Sequence, residues 1–124
     1  EEDYRASPHA PKAVGPYSQA VEAGGALYVS GQLPIDGATQ KMAEGIEAQT
    51  RQSLTNLRHI LEEAGYTLGD VAKTTVLLQD IGDFAAMNAV TPGSSPRECP
   101  RAYATRSPHS RWGALVEIDA VAAK

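Results

Sequence analysis

The chain is short of several things, and each shortage narrows what it can be. It holds one cysteine, Cys99, so no disulfide can form within it, and a reducing compartment suits it better than an oxidising one. No apolar run approaches the roughly 18 residues a membrane-spanning helix needs, so no membrane association is expected. Basic residues are outnumbered 11 to 15 by acidic ones, for a formal charge of −4. A nucleic-acid surface ordinarily needs a basic face, and this balance argues against such a partner. His9, His59 and His109 share no metal-ligand spacing, so no metal is expected. The opening "EEDYRASPHAPK" is acidic and polar, lacks a secretory pattern, and reads as a flexible tail over residues 1–10. A cytoplasmic location is the expectation, with a mitochondrial one open if a leader has been removed. The length, 124 residues, suits a single domain over 1–124.

One shortage is local. Residues 91–112, "TPGSSPRECPRAYATRSPHSRW", contain no Val, Ile, Leu, Phe or Met, yet hold four of the eight prolines and four of the seven arginines. Around that stretch the chain keeps an ordered apolar rhythm. Val21 closes one alternating segment, Gly24-Gly25 supplies a turn, Leu27-Tyr28-Val29 carries the return, and Pro34 stops it. From Gly45 the period becomes helical: Ile46, Leu54, Leu57, Ile60, Leu61 and Ala64 share a face, with Gly65 as the stop. "DVAKTTVLLQD" follows as a strand, with Val71, Thr75 and Leu77 alternating against Ala72, Val76 and Leu78. "FAAMNAV" starts a second helix, with Phe84, Met87 and Val90 on one side, and Thr91-Pro92-Gly93 cuts it short. In "ALVEIDAVA", Val116, Ile118 and Ala120 lie on one face, and Leu115, Glu117, Asp119 and Val121 on the other. This order predicts an α+β fold, a mixed β-sheet with two helices packed on one face.

Five blocks then become specific: "GPYSQAV" at 15–21, "VSGQLP" at 29–34, "IEAQTRQSLTNLRHILEEAG" at 46–65, "KTTVLLQDIGDFAAMN" at 73–88 and "GALVEIDAVA" at 113–122. In that order and spacing the chain resembles the RidA/YjgF family of reactive intermediate deaminases. The resemblance implies a chorismate mutase-like fold and a homotrimer with pockets between subunits. It implies cofactor-free hydrolysis of small-molecule 2-imino acids, 2-iminopropanoate (from 2-aminoacrylate) and 2-iminobutanoate, to 2-keto acids and ammonia. Two other functions stay open: an endoribonuclease that inhibits translation, and a non-enzymatic trimeric ligand-binding or chaperone-like module.

The family pattern continues the second helix through an aromatic "YAxFF" segment and then places "PAR" on a strand. Residues 91–112 depart from it throughout. Reading the possible codons of this stretch one base earlier permits "YARFFPEGVPARVCYAVAALPL", of the same length and joined to Gly113 without a gap. We therefore expect a compensated frameshift over 91–112, because local pattern and fold then agree.

A 2-imino acid offers a carboxylate and an electrophilic C=N carbon. Its site needs a cation, a group that positions or deprotonates water, and walls that hold the nitrogen. An arginine's planar fork suits the carboxylate. By resemblance, Arg101 is the written residue closest to the family arginine, which falls one position later in the recovered frame. By the same resemblance, Glu117 handles water or protons, Tyr17 assists with its hydroxyl, and Ser30, Gly31 and Asn88 bind substrate. Alone, each has a plainer reading: a solvated loop charge, a half-exposed strand residue, a strand aromatic, turn residues, an exposed helix position.

Overall fold

A hairpin sets the register of the sheet. In the computed structural model, which describes residues 3–5, 7–10, 19–94, 102–106 and 113–124, strands β2 (Ala20–Ala23) and β3 (Ala26–Gln32) pair antiparallel. Gly24 and Gly25 join them with φ of 59° and 80°, the two left-handed residues that a tight hairpin turn requires. The remaining strands are β1 (Asp3–Arg5), β4 (Val71–Leu78), β5 (Ala102–Arg106) and β6 (Val116–Ala123), in a six-stranded sheet of order β1-β2-β3-β6-β4-β5. Among the described strands, β4 and β5 pair in parallel and the other pairs are antiparallel, so the sheet is mixed, as expected.

Helix α1 (Ile46–Glu63) connects β3 to β4, and α2 (Phe84–Ser94) connects β4 to β5. Leu54, Leu57, Ile60 and Leu61 of α1 and Met87 of α2 meet Leu27, Val29, Val76, Leu78, Val116, Ile118 and Ala120 of the sheet in one core. Among the described residues, no helix covers the other face of the sheet. Each fully buried Leu or Ile contributes roughly 1.5–3 kcal/mol by leaving water. Gly65, at φ 84°, ends α1: its N–H donates to the Glu62 carbonyl and the Tyr66 N–H to the Leu61 carbonyl, satisfying two last-turn acceptors. No helix of the described residues is long and apolar enough to cross a membrane.

Three local expectations give way. Residues 3–5, expected in a flexible tail, pair with β2, and the segment after them is anchored because the Gln19 side chain accepts from the Ser7 N–H and donates to its carbonyl. In β4 the register shifts between Val71 and Lys73, so Val71 joins Thr74, Val76 and Leu78 on the core side instead of Thr75 and Leu77. A one-residue bulge produces such a change of face. Helix α2 runs to Ser94, through Pro92 and Gly93, where those two residues predict a stop. A proline inside a helix lacks a donor and ordinarily costs about 3 kcal/mol, so the written residues fit this element poorly. Strand β5 lies between Pro100 and Pro108, where both readings of the stretch allow one.

The helix α1 also has a buried polar stripe that its apolar period conceals. Asn56 donates to the carbonyls of Leu33 (3.0 Å) and Ile35 (2.8 Å) and accepts from Gln52. Ser53 donates to the Gln32 carbonyl, and Gln49 donates to the Ala43 carbonyl and accepts from the Leu115 N–H. These bonds fix the exit of β3 and the entry to β6 together. Asn56→Ala should therefore lower stability by about 1–3 kcal/mol in denaturant unfolding, since it strips donors from buried carbonyls.

Candidate functional site

The helix-free face carries polar residues of β6 and of its neighbours. On β6, Glu117 and Asp119 are half-buried and alternate with fully buried Val116, Ile118 and Ala120. A strand's period of two therefore sets both carboxylates on one face, opposite the helices. Thr75 and Leu77 of β4 stand beside them, in register with Asp119 and Glu117.

On the other flank of β6, strand β3 is irregular. Val29 pairs with Ala120 and Gln32 with Ile118, so Ser30 and Gly31 together face the single residue Asp119. Bulges re-aim side chains, and this one brings two consecutive residues toward the carboxylate face. Its shape is held from both sides. Ser30 donates through its N–H (3.0 Å) and its hydroxyl (2.9 Å) to the Gln19 carbonyl, while Gln32 donates back to the Ser30 carbonyl at 3.0 Å. Gln19 and Gln32, each 5% exposed, are thus the structural residues of the "YSQ" and "SGQ" motifs.

Gly31 and Glu117 are in close apposition. A Cβ built on Gly31 would lie 2.6 Å from Glu117 Cδ, 2.7 Å from Oε1 and 2.9 Å from Cγ. The Glu117 carboxyl occupies the space where any other residue would carry a side chain. Of the residues expected to form a site, Ser30, Gly31 and Glu117 are therefore brought together. Asn88 is exposed on α2, in the helix layer, away from this face. Tyr17 and Arg101 lie outside the described residues.

Asp119 was not singled out as a site residue, although its place two positions after Glu117 gave it the same face. Burial holds its carboxyl above the ordinary Asp range, and the neighbouring Glu117 pushes the same way; hydrogen bonds from the Thr75 side chain and backbone, and the Lys73 charge, oppose the rise. Among the described residues, no group of three or more His, Cys, Asp or Glu is placed to hold a metal. The arrangement sets the Glu117 carboxyl, a group able to accept a proton from water, against the Gly31 backbone in a half-buried setting that strengthens polar contacts.

A mixed sheet with two helices on one face and a motif-bearing carboxylate face on the other defines a family, and sequence comparison reaches it independently. Residues 7–124 match the model of the Endoribonuclease L-PSP family. The chain belongs to that family, which groups the RidA, YjgF and RutC proteins. It is 46% identical over 117 residues to a RutC family protein of Pyrococcus horikoshii, covering 94% of this chain and 93% of the relative. It is 49% identical over 84 residues to the 2-iminobutanoate/2-iminopropanoate deaminase of Salmonella typhimurium, covering 68% of this chain and 66% of that one. The crystal structure of RidA from the Antarctic bacterium Psychrobacter superposes with a TM-score of 0.94 at 38% identity, over 98% of this chain and 99% of the other.

Proposed function

We propose that this protein hydrolyses small 2-imino acids, 2-iminopropanoate and 2-iminobutanoate, to the 2-keto acids and ammonia. The observation that carries this reading is the Glu117 carboxylate, set on the helix-free face against the Ser30–Gly31 bulge. Water adds to the C=N carbon while Glu117 takes its proton and passes it to the nitrogen, which gives the carbinolamine. Glu117 then takes the hydroxyl proton and returns it to the nitrogen as the C–N bond breaks, so the C=O forms and ammonia leaves. One water is consumed, no electron changes hands, and the chemistry calls for no cofactor.

The substrate carboxylate needs a cation, for which we assign Arg101 or, in the recovered frame, the arginine one position later. Position 102 opens β5, which pairs with β4 and lies one strand removed from Glu117. We propose further that residues 91–112 are a frame-shifted reading of "YARFFPEGVPARVCYAVAALPL". The helical place of Pro92 and Gly93 supports it. Tyr17 would add its hydroxyl and Asn88 a pocket contact. For Asn88, exposed on α2, that contact calls for a pocket completed by another subunit.

The helix-free face also supports a homotrimer. Tyr28 is 51% exposed there, and Leu77, Leu115 and Val121 are only half-buried, so apolar surface remains to be covered. Light scattering at micromolar concentration should give the mass of three chains; a stable monomer would count against pockets between subunits.

The family's description as endoribonuclease keeps a second activity in view. Two features of this chain weigh against it. Glu117 and Asp119 put two carboxyl groups on the candidate face, a poor setting for a phosphate backbone, and the His9–His59 pair, with ring centroids 5.5 Å apart, draws His59 from α1, in the helix layer. The two activities separate in one experiment. Protein incubated with an oxidase-generated imine and, in parallel, with single-stranded RNA should clear the imine and leave the RNA intact; RNA cleavage without imine loss would reverse the assignment.

A further inference from the structure

The close approach of Gly31 to Glu117 has a mechanical meaning that depends on what would yield if space were lost. At Gly37, an added Cβ would run into the backbone carbonyl of His9, which cannot move without moving the chain. At Gly31, the three nearest atoms all belong to one flexible side chain: Glu117 Cδ at 2.6 Å, Oε1 at 2.7 Å and Cγ at 2.9 Å. A methyl group there would leave the backbone in place and turn the glutamate aside. Gly31 has no left-handed φ to explain its being glycine. The bulge backbone beneath it is held independently, by the bonds from Ser30 to Gln19 and from Gln32 to Ser30. So the absent side chain bears first on the position of the Glu117 carboxylate.

We infer that Gly31 is a positioning residue: its missing side chain is the seat of the Glu117 carboxylate, and filling that seat moves the carboxylate without disturbing the fold. The kinetic part of this inference rests on the deaminase reading above. A misplacement on the order of 1 Å at a reacting group can cost about a hundredfold in rate. A merely structural glycine would instead lower stability, and a glycine whose backbone only touches substrate would act whether or not residue 117 carries a carboxylate.

A double-mutant cycle separates these roles. Gly31→Ala should keep the melting temperature of the parent while kcat on 2-iminobutanoate falls roughly 10- to 100-fold. In a Glu117→Gln background the same Gly31→Ala change should cost nothing further, because the group it displaces no longer reacts. A second readout needs no turnover: the 13C resonance of the Glu117 carboxyl should move on Gly31→Ala in the otherwise native protein. Three results overturn the inference: Gly31→Ala with parental kcat, an undiminished loss in the Glu117→Gln background, or a melting temperature that falls steeply. If the native protein shows no imine turnover at all, the deaminase reading fails. The carboxyl resonance then decides the seating alone, in its favour if it moves and against it if it stays.

Discussion

Glu117→Gln should reduce kcat for imine hydrolysis by roughly 10²- to 10⁴-fold, the range removed with a general base, while KM changes little. The substitution keeps the length and planarity of the side chain, so it still fits against Gly31 and leaves the β6 alternation untouched. It removes only the proton-accepting oxygen. Binding of a 2-keto acid product should persist, which separates lost chemistry from a lost pocket. Turnover equal to the parent would assign Glu117 to structure alone and leave this face without a base from β6 except Asp119. In that event Asp119, its carboxyl raised by burial, becomes the next group to substitute.

Removing the clamp arginine should cost as much by a different route. A desolvated carboxylate–guanidinium pair broken on one side loses about 2–5 kcal/mol, which corresponds to roughly a 30- to 5,000-fold fall in kcat/KM. The residue to change follows from peptide masses across 91–112. The written sequence gives one set of peptides and "YARFFPEGVPARVCYAVAALPL" another, because they differ at most of the positions. If the written residues are present, Arg101→Ala is the test; if the recovered ones are, the arginine one place later is. An alanine variant at the confirmed arginine that turns over normally would remove it from the mechanism. A protein that carries the written residues should itself be a poor enzyme, since displacement by one residue changes the face of a strand side chain.

The elements most legible in the sequence are those whose burial follows a simple period. The apolar stripe of α1 and the alternation of β6 place Leu57, Ile60, Ile118 and Ala120 in the core as their spacing predicts. What the spacing hides is polar burial and irregular register. Gln49, Ser53 and Asn56 look like a solvated helix face but are buried against loop carbonyls, a role set by tertiary contacts and not by period. The bulges at Ser30–Gly31 and near Ala72 each reverse the phase of the alternation by one residue, and in "VAKTTVLL" the consecutive apolar residues Val76, Leu77 and Leu78 leave the phase ambiguous. Only the first had a hint, the glycine of "SGQ". β1 escaped notice because a three-residue strand of polar and charged residues is held by its pairing with β2, not by any pattern of its own. At the site, Glu117 and Gly31 came from resemblance to a family. Their contact, and the place of Asp119 beside Thr75, came from geometry.

The most direct test is the rate at which a 2-imino acid disappears. An amino acid oxidase generates 2-iminobutanoate in the cuvette, and loss of the imine is followed with increasing amounts of protein, with 2-oxobutanoate and ammonia measured at the end. Hydrolysis at Glu117 should give a first-order loss that rises in proportion to protein concentration, with one keto acid and one ammonia per imine and nearly all of the acceleration lost in Glu117→Gln. An imine lifetime that folded protein does not shorten, with residues 91–112 confirmed by mass as the recovered ones, would contradict hydrolysis at this site.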